Sequence, residues 1–459
     1  MTIKSISVLA CVVLLGTASL AQKQQPPEGG TPKNFVLPQG STLTLESGLA
    51  ATLVGYGLVP KVTIQVGIRS GNIDEGSQDT WLADLTGEML KEGTQSMSAA
   101  EIARQTAAMG GTVAVSTGAD RTSIEISVLS EFGPAAVNLL ADIVQHPAFP
   151  VSELARLKND LQRQLSIQQS DPQTIANARF AGILYGEHPY GRVLSTPKII
   201  DGFTIERVKA FYEKNYAAVR THVYVAGRFE QKHMEEAIRK GFGSWKRGEP
   251  FAPNIPKPVS QRAIYIVDRP KAPQSTIYMG LPTIDPSNPD YRALQVMNSL
   301  LGGSFSSRIT SNIRENKGYT YSPFSMVSSR YRNAYWVQIA DVSTDVTGAS
   351  LQEIFKEIDR LQAEPPSEKE LKGIQNYMAG VFVLQNSSPQ GIIGQLAFLD
   401  LHGLPETYLS NAVADIYAST PKKIQALARD YIRDQEMTVV ILGDRAMIKN
   451  QVARFGKIL

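Results

Sequence analysis

The stretch Trp81-Leu-Ala-Asp-Leu-Thr-Gly-Glu-Met-Leu-Lys-Glu-Gly-Thr94 decides how the rest of this sequence is interpreted. Apolar residues recur at helical spacing and Gly93 provides a stop, so the stretch predicts a short helix. Asp84 and Glu88 are four residues apart and therefore share one face of that helix. Gly87, which stands between them, has no side chain. The stretch thus predicts a helix that presents two carboxylates and nothing between them.

This helix resembles the zinc-binding helix of the M16 peptidases, the family of insulinase, pitrilysin and the mitochondrial processing peptidase. The family's motif is His-x-x-Glu-His, followed by Met-Leu and, a few residues later, by Gly-Thr. Met89-Leu90 and Gly93-Thr94 are in register with that pattern, but the three functional positions hold Asp84, Gly87 and Glu88. In the motif, two imidazoles bind one Zn²⁺ and the glutamate activates a water molecule. The resemblance implies a zinc helix that lacks its zinc chemistry.

The third zinc ligand of the family is a glutamate on a later helix. The matching segment before Asp171-Pro172 places Arg163 or Gln164 at that position. An arginine beside a dication would be repulsive, so both parts of the metal site are missing. Asp84 and Glu88 offer oxygen donors, which leaves a Ca²⁺ or Mg²⁺ site open as an alternative. We favour a solvated acidic helix face and expect no metal site in this chain.

Charge and composition exclude other classes of protein. A formal charge of +3 over 459 residues is nearly neutral, so nothing indicates a nucleic-acid partner. The one cysteine, Cys11, lies in an apolar N-terminal run, so a chain that begins after that run has neither disulfides nor a cysteine nucleophile. No Gly-x-Ser-x-Gly elbow occurs, and no two histidines are four residues apart. A serine hydrolase therefore has no support.

The N-terminus predicts an exported protein. Lys4 is followed by the apolar run 6–15 and by a small-residue cleavage site at Ala21, which is the pattern of a secretory signal peptide. The run is too short to span a bilayer as an ordinary anchor. A lipoprotein-like cleavage box ends at Cys11, but apolar residues continue beyond it, which favours export without a lipid anchor. We expect a signal peptide at 1–21, a periplasmic location and no transmembrane anchor after cleavage.

The rest of the chain has the same order of strands and helices twice. A strand, a helix and a long helix opened by proline recur in that order, at 62–68, 81–90 and Pro150, and again at 275–281, 290–301 and Pro366. A period of roughly 215 residues is too long for a solenoid and indicates a duplicated domain. We predict four segments: a flexible lead-in at 22–40, a first domain at 41–245, a proline-rich linker at 246–261 and a second domain at 262–459. The predicted fold class is α+β, with an antiparallel-rich sheet flanked by helices in each domain.

The family resemblance covers this whole region and includes a second functional segment. Residues 313–322, Ile-Arg-Glu-Asn-Lys-Gly-Tyr-Thr-Tyr-Ser, are similar to the family's Arg-Glu-x-x-Gly-x-x-Tyr segment, and the turn Gly302-Gly303 precedes them. In clamshell-shaped M16 peptidases, that arginine and tyrosine come from the half opposite the zinc and hold the substrate over the metal. The resemblance implies this substrate-binding role for Arg314 and Tyr321, with Gly302 and Gly303 beside them. It also implies two homologous α/β-roll domains of the M16 and LuxS-metalloenzyme type, which form half of a clamshell.

Arginine and tyrosine suit this role chemically. Arg314 supplies a planar fork of donors for a peptide carbonyl or carboxylate. Tyr321 supplies a neutral hydroxyl that can stabilise an oxyanion, and one such donor is typically worth about 2.7–4 kcal/mol. The alternative is that Arg314 pairs with Glu315 and that Tyr321 packs in a core. The intact motif favours the functional role.

Two interpretations of function remain. The resemblance implies a non-catalytic, substrate-positioning subunit of an exported heterodimeric zinc peptidase, whose partner chain carries His-x-x-Glu-His and supplies the zinc. In that case the chain alone is inactive and a peptide substrate adds to a sheet edge. The alternative is a non-enzymatic scaffold or peptide-binding protein, since the same fold is used structurally in core proteins of respiratory complexes. A hydrolase that acts alone through an unrecognised metal is a third reading, and the substrate, the partner's identity and homodimer formation stay open.

Overall fold

The computed structural model describes residue 36 and residues 38–459. The predicted signal peptide, with its cleavage site at Ala21, and most of the predicted lead-in lie outside the described residues. In the part of the chain that the structure describes, no helix is both long and apolar enough to cross a membrane.

The first half of the described chain contains six strands and eight helices. Their bounds are β1 Gly40–Thr44, β2 Ala50–Gly55, β3 Lys61–Ile68, α1 Leu82–Met89, α2 Ala99–Ala108, β4 Val113–Thr117, β5 Thr122–Leu129, α3 Gly133–Gln145, α4 Val151–Ser170, α5 Pro172–Tyr185, α6 Pro197–Asp201, α7 Ile205–Asn215, β6 Thr221–Gly227 and α8 Gln231–Phe242. The predicted helix of the opening stretch is α1. Gly93, which ends that stretch as a stop, has a positive φ of 127° that an L side chain rarely adopts.

The second half adds six strands and nine helices to the described part of the chain. Their bounds are β7 Ala263–Asp268, β8 Gln274–Thr283, α9 Tyr291–Asn298, α10 Arg308–Thr310, β9 Phe324–Arg330, β10 Asn333–Ser343, α11 Thr347–Ala363, α12 Glu368–Gln385, α13 Pro389–His402, α14 Thr407–Ser410, α15 Ala412–Ala418, α16 Pro421–Tyr431, β11 Thr438–Gly443, α17 Arg445–Val452 and β12 Lys457–Ile458. Two π-helical turns, Ser299–Gly303 and Ser311–Asn316, follow α9 and α10.

The two halves build sheets in which five strands share one topology, while one edge strand differs: β1 pairs antiparallel with β2, whereas β12 pairs parallel with β7. The strand orders are β1-β2-β6-β3-β5-β4 and β12-β7-β11-β8-β10-β9. In the first sheet the pairs β6–β3, β3–β5 and β5–β4 are antiparallel, as are β11–β8, β8–β10 and β10–β9 in the second. The pairs β2–β6 and β7–β11 are parallel. The α+β class with antiparallel-rich sheets is confirmed. The domain boundaries at 245 and 262 stay a prediction.

Each sheet is covered on one face by the helices of its own half. Along β3, the side chains of Val62, Ile64, Val66 and Ile68 alternate onto this face and are completely buried. Along β8, Ile277, Met279 and Leu281 do the same. The period of two that identified these strands in the sequence therefore places their apolar side chains in two separate cores.

The opposite face of each sheet is covered by a helix from the other half. Phe180 of α5 is fully buried against the second sheet, with its ring centroid 5.2 Å from that of Tyr278 and 5.5 Å from that of Tyr335. In return, Ile392 and Ile393 of α13 are fully buried against the first sheet. This exchange holds the two halves together by apolar burial on both sides.

A polar cluster joins the halves beside these helices. The guanidinium of Arg69 lies 4.3 Å from the ring centroid of Phe251 and 4.1 Å from that of Tyr331. The carboxylate of Asp120 accepts a hydrogen bond from the hydroxyl of Tyr190 and another from the backbone N–H of Tyr331, at 3.2 Å. Cation–π contacts of a desolvated arginine are stabilising, so this cluster adds specific polar contacts to the apolar packing between the halves.

The α5 packing predicts a large cost for removing one ring. Phe180→Ala should destabilise the fold by about 3–5 kcal/mol, because it opens a cavity in a fully buried contact between the halves. Leu384→Ala is the matched control, since that side chain is 72% exposed and its loss should cost less than about 0.5 kcal/mol. Thermal unfolding followed by circular dichroism measures both. Equal melting temperatures of the two variants would contradict the packing role.

Candidate functional site

The predicted zinc-type helix lines a cleft of about 630 Å³ in the first half. Helix α1 forms one wall with Asp84 and Glu88, and α4 forms the other with Arg163 and Gln164. Helix α1 is fixed by its buried apolar face and by Trp81, whose indole N–H donates to the carbonyl of Val193 at 3.1 Å. The structure therefore brings Asp84 and Glu88 to the same cleft as Arg163 and Gln164, the two residues that the sequence offered for the third-ligand position.

Asp84 belongs to a buried carboxyl pair. The side-chain amide of Asn72 donates to Asp84 Oδ2 at 2.7 Å and to Glu75 Oε1 at 3.1 Å, and Glu75 Oε1 also accepts from the backbone N–H of Ala83 at 2.9 Å. Burial raises the pKa of Asp84 to about 6, and Glu88 adds to that shift. Burial also raises the pKa of Glu75 to about 8, with Asp84 contributing. Asp84 therefore anchors the segment before α1.

The other charges of the cleft are paired with one another. Lys91 Nζ lies 2.6 Å from a carboxylate oxygen of Glu88, and the Arg163 guanidinium lies 3.0 Å from Asp160. The Glu88 side chain is 41% exposed, whereas Asp84 on the same helix face is desolvated, so the solvated acidic face that we expected is limited to Glu88. Arg156 lies across the cleft and contacts Glu92 at 2.7 Å. Among the residues that the structure describes, no group of three or more His, Cys, Asp or Glu could hold a metal ion.

The position of the missing general base is crowded by side chains of a neighbouring strand. A Cβ atom at Gly87 would lie 2.7 Å from Thr117 Oγ1 and 3.3 Å from Val115 Cγ1, both on β4. The first distance is shorter than real Cβ contacts, so a side chain at Gly87 requires at least the Thr117 side chain to move. Gly87 thus packs closely against β4.

The two glycines of the second segment lie where α9 ends in a π-helical turn. A Cβ atom at Gly302 would lie 2.6 Å from both Ser325 Oγ and Gln338 Oε1, and one at Gly303 would lie 2.5 Å from Asn298 Nδ2. The turn thus approaches β9 and β10 too closely for side chains. Glycine is required here by this contact.

Arg314 and Tyr321 line a cavity of about 290 Å³ next to that turn, with Phe305. The Arg314 guanidinium carbon lies 4.2 Å from the ring centroid of Phe305 and 5.0 Å from that of Tyr321. Tyr321 is 81% exposed, so it does not pack in a core. Arg314 Nε lies 3.4 Å from a carboxylate oxygen of Glu315, which is 57% exposed, and such surface pairs are weak. The pair that the sequence singled out is accessible from solvent.

Several features of the two sites were not predicted from the sequence. Asn72 and Glu75 precede α1 without a recognisable motif, and their contacts with Asp84 depend on the fold. Phe305 stands in the quoted glycine-rich segment, but its position over the guanidinium follows from the turn after α9. A polar residue twelve positions before a helical carboxylate is too general a pattern to identify such a contact.

The raised pKa values of the carboxyl pair predict a stability that depends on pH. Because both pKa values are higher in the folded state than in the unfolded state, their stabilising effect is present at low pH and is lost as the pH rises through about 6 and then about 8. The melting temperature should therefore fall from about pH 4, the ordinary pKa of such carboxyl groups in an unfolded chain, to about pH 8. Glu75→Gln should flatten the alkaline part of this profile, whereas Glu236→Gln, on an exposed surface, should leave it unchanged. Identical profiles for all three proteins would contradict the assignment.

Rebuilding the motif should not restore a metalloenzyme. In Asp84→His, Gly87→Glu, Glu88→His, the new glutamate meets Thr117, and the α4 wall still presents Arg163 and Gln164. We expect less than stoichiometric zinc by mass spectrometry of the chelator-treated, re-metallated protein and no peptidase activity. One tightly bound zinc with activity from these three changes would show that another residue serves as the third ligand.

Comparisons with known proteins agree with the geometry. The model of the family described as insulinase (peptidase family M16) matches residues 58–198, and that described as the peptidase M16 inactive domain matches residues 202–378. The chain is 25% identical over 405 residues to an uncharacterised zinc protease of Bacillus subtilis (strain 168), covering 87% of this chain and 97% of that protein. It is 28% identical over 314 residues to an uncharacterised zinc protease of Mycobacterium leprae (strain TN), covering 67% and 70%.

Solved structures share the fold. A peptidase M16 inactive domain from Pseudomonas fluorescens matches with a TM-score of 0.82 at 24% identity, covering 88% of this chain and 98% of that one. A protease from Helicobacter pylori matches with a TM-score of 0.83 at 20% identity, covering 89% and 100%. Because the two M16 family models match in succession over most of the chain, the chain belongs to the M16 peptidase family.

Proposed function

We propose that this chain is the non-catalytic, substrate-positioning subunit of an exported M16 zinc peptidase, in which a second chain with His-x-x-Glu-His supplies the zinc. The observation that supports this most is the contrast between the two clefts. The described lining of the first has no histidine or cysteine, and Gly87 supplies no general base, while the second presents Arg314 and Tyr321 to solvent. In this assembly, each chain forms half of a clamshell.

The charges of the first cleft argue against zinc in this chain. Zinc in proteins is bound by histidine, cysteine and carboxylate ligands, and the described lining of the cleft offers carboxylates without a histidine or a cysteine. Asp84 accepts from Asn72, while Glu88, Glu92 and Asp160 are each paired with a cationic side chain. A dication would also approach the guanidinium of Arg163, which lines the same cleft. The ion must therefore come from a partner if the assembly cleaves peptides.

The second cleft supports the positioning role. Arg314 is held between neighbouring aromatic rings and has a side-chain exposure of 22%, so its orientation is restricted while its donors stay near solvent. A guanidinium of fixed orientation can donate two parallel hydrogen bonds to a carbonyl or carboxylate. The Tyr321 hydroxyl, on a ring that is 81% exposed, adds a neutral donor for an oxyanion. Zinc and its water would supply the attack from the partner side.

The names of relatives support the reaction class. The matched proteins of Bacillus subtilis and Mycobacterium leprae are called zinc proteases, so chains of this length and fold are associated with zinc-dependent proteolysis. The N-terminal sequence pattern supports export, with Lys4, an apolar run and Ala21. Peptides in the periplasm are then the substrate class.

Turnover in a reconstituted complex tests this proposal. The purified chain alone should contain no stoichiometric zinc and cleave no peptide. Co-expression with an exported M16 chain that carries the zinc motif should give a complex that cleaves peptides. In that complex, Arg314→Ala and Tyr321→Phe should each lower kcat by about 10²–10³, the loss expected for an oxyanion donor. Size-exclusion chromatography should show unchanged assembly.

Arg104→Ala is the matched control, since that guanidinium lies on α2 and is 73% exposed. It should leave turnover and assembly unchanged. Wild-type rates in both the Arg314 and Tyr321 variants would remove the positioning role and favour the scaffold. Peptide cleavage by the isolated chain would contradict the need for a partner.

A further inference from the structure

Exposed apolar side chains are concentrated beside Arg314. Phe305, Tyr321 and Phe324 line the Arg314 cavity, and Met326 and Tyr377 line the next one. They are between 37% and 81% exposed. We call these five residues the apolar strip. Clustered exposed apolar side chains are typical of interaction sites, which makes the strip a candidate binding surface.

The strip follows a strand that has one free side. Strand β9 pairs with β10 and ends the second sheet, so no strand within residues 38–459 covers its outer edge. Phe324 and Met326 are exposed while Ser325 between them is buried, which places the two apolar side chains about 7 Å apart along the strand. Asn298 Nδ2 donates to the Ser325 carbonyl at 3.3 Å, so a ligand is held here by side-chain contacts more than by backbone pairing.

The cavity at the far end of the strip is larger than the Arg314 cavity. It measures about 520 Å³ and lies between α9, α12, α13 and β9. Among the described residues that line the two cavities, none is acidic, and Arg292 and Arg314 are the charged ones. A buried donor lines each cavity with no hydrogen-bond partner in the described chain, Ser304 Oγ in the smaller and Arg292 Nε in the larger. The aliphatic and aromatic residues of the lining suit an apolar side chain, and the two donors suit a backbone carbonyl.

We infer that the apolar strip binds an extended peptide and that the larger cavity takes a bulky apolar side chain two residues from the one beside Arg314. This inference rests on the proposed function and adds its substrate class. The spacing follows because side chains of an extended peptide repeat on one side every two residues, as Phe324 and Met326 do. Lysine or arginine at that peptide position is disfavoured, because a second cation would face Arg292 without a carboxylate.

A glycine in the larger cavity allows it to be filled without disturbing the fold. Gly394 of α13 lines the cavity, and a Cβ atom there would meet no atom within 4 Å. Gly394→Leu should therefore occupy the cavity while its helix gains propensity. Gly373 of α12 has an equally open Cβ position but is not among the lining residues, so Gly373→Leu is the matched control.

Fluorescence anisotropy with three labelled heptapeptides tests the inference on the isolated chain. The probes are Ala-Ala-Phe-Ala-Phe-Ala-Ala and the same peptide with Ser or Lys in place of the second Phe. The chain should bind the Phe peptide more tightly than the Ser peptide, by on the order of tenfold for one buried apolar side chain, and the Lys peptide most weakly. Gly394→Leu should abolish the Phe preference, whereas Gly373→Leu should retain it.

The possible results separate the two proposals. Arg314→Ala should weaken the Phe and Ser peptides by the same factor, because it acts at the neighbouring cavity. If Gly394→Leu and Gly373→Leu keep the same Phe preference, or if the unmodified chain binds no peptide or all three equally, the inference about the strip is wrong. The positioning role is judged by turnover of the complex and stands if Arg314→Ala and Tyr321→Phe lower kcat there.

Discussion

The structure depends on the reciprocal covering of two sheets by two helices. Helix α5 of the first half packs on the second sheet and buries Phe180 against Tyr278 and Tyr335. Helix α13 of the second half packs on the first sheet and buries Ile392 and Ile393 there. Because each sheet is buried on both faces, neither half can move away without exposing an apolar surface to water. The two clefts are therefore parts of one rigid arrangement, and any ligand that contacts both meets them at a fixed separation.

The duplication explains how one chain has diverged at equivalent places. Helices α1 and α4 with β4 form the first cleft, and α9 and α12 with β9 form the larger cavity of the second half. In the first, charges neutralise one another and a strand fills the space next to Gly87. In the second, aromatic and aliphatic side chains remain open to solvent. The same backbone frame thus holds a cleft lined by paired charges in the first half and an apolar cavity in the second, and fold alone does not determine the chemistry.

Local patterns predicted the strands and helices well, because their causes are local. The alternation in β3, the glycine stop after α1 and the proline that opens α4 each act within a few residues. The accessibility of Tyr321 and the close contact that requires Gly302 involve segments far apart in the chain, and only the family resemblance indicated them. Two further features had no signal in the sequence. One is the contact of Asn72 with both carboxyls, and the other is the close approach of Thr117 to the place of a Cβ atom at Gly87. Tertiary packing produced them.

The second cleft, which contains Arg314 and the apolar strip, is energetically unfavourable in the free chain. Exposed aromatic rings and buried donors without partners lower the stability of an isolated chain, since apolar area stays in water and hydrogen bonds are lost. The core of this protein is extensive, so the chain tolerates that cost at one place. A peptide that covered Phe305 and Met326 and accepted from Ser304 or Arg292 would recover both terms at once. The unfavourable surface of the free chain therefore becomes a favourable one in the complex, and this difference in free energy is what makes the cleft selective for extended apolar peptides.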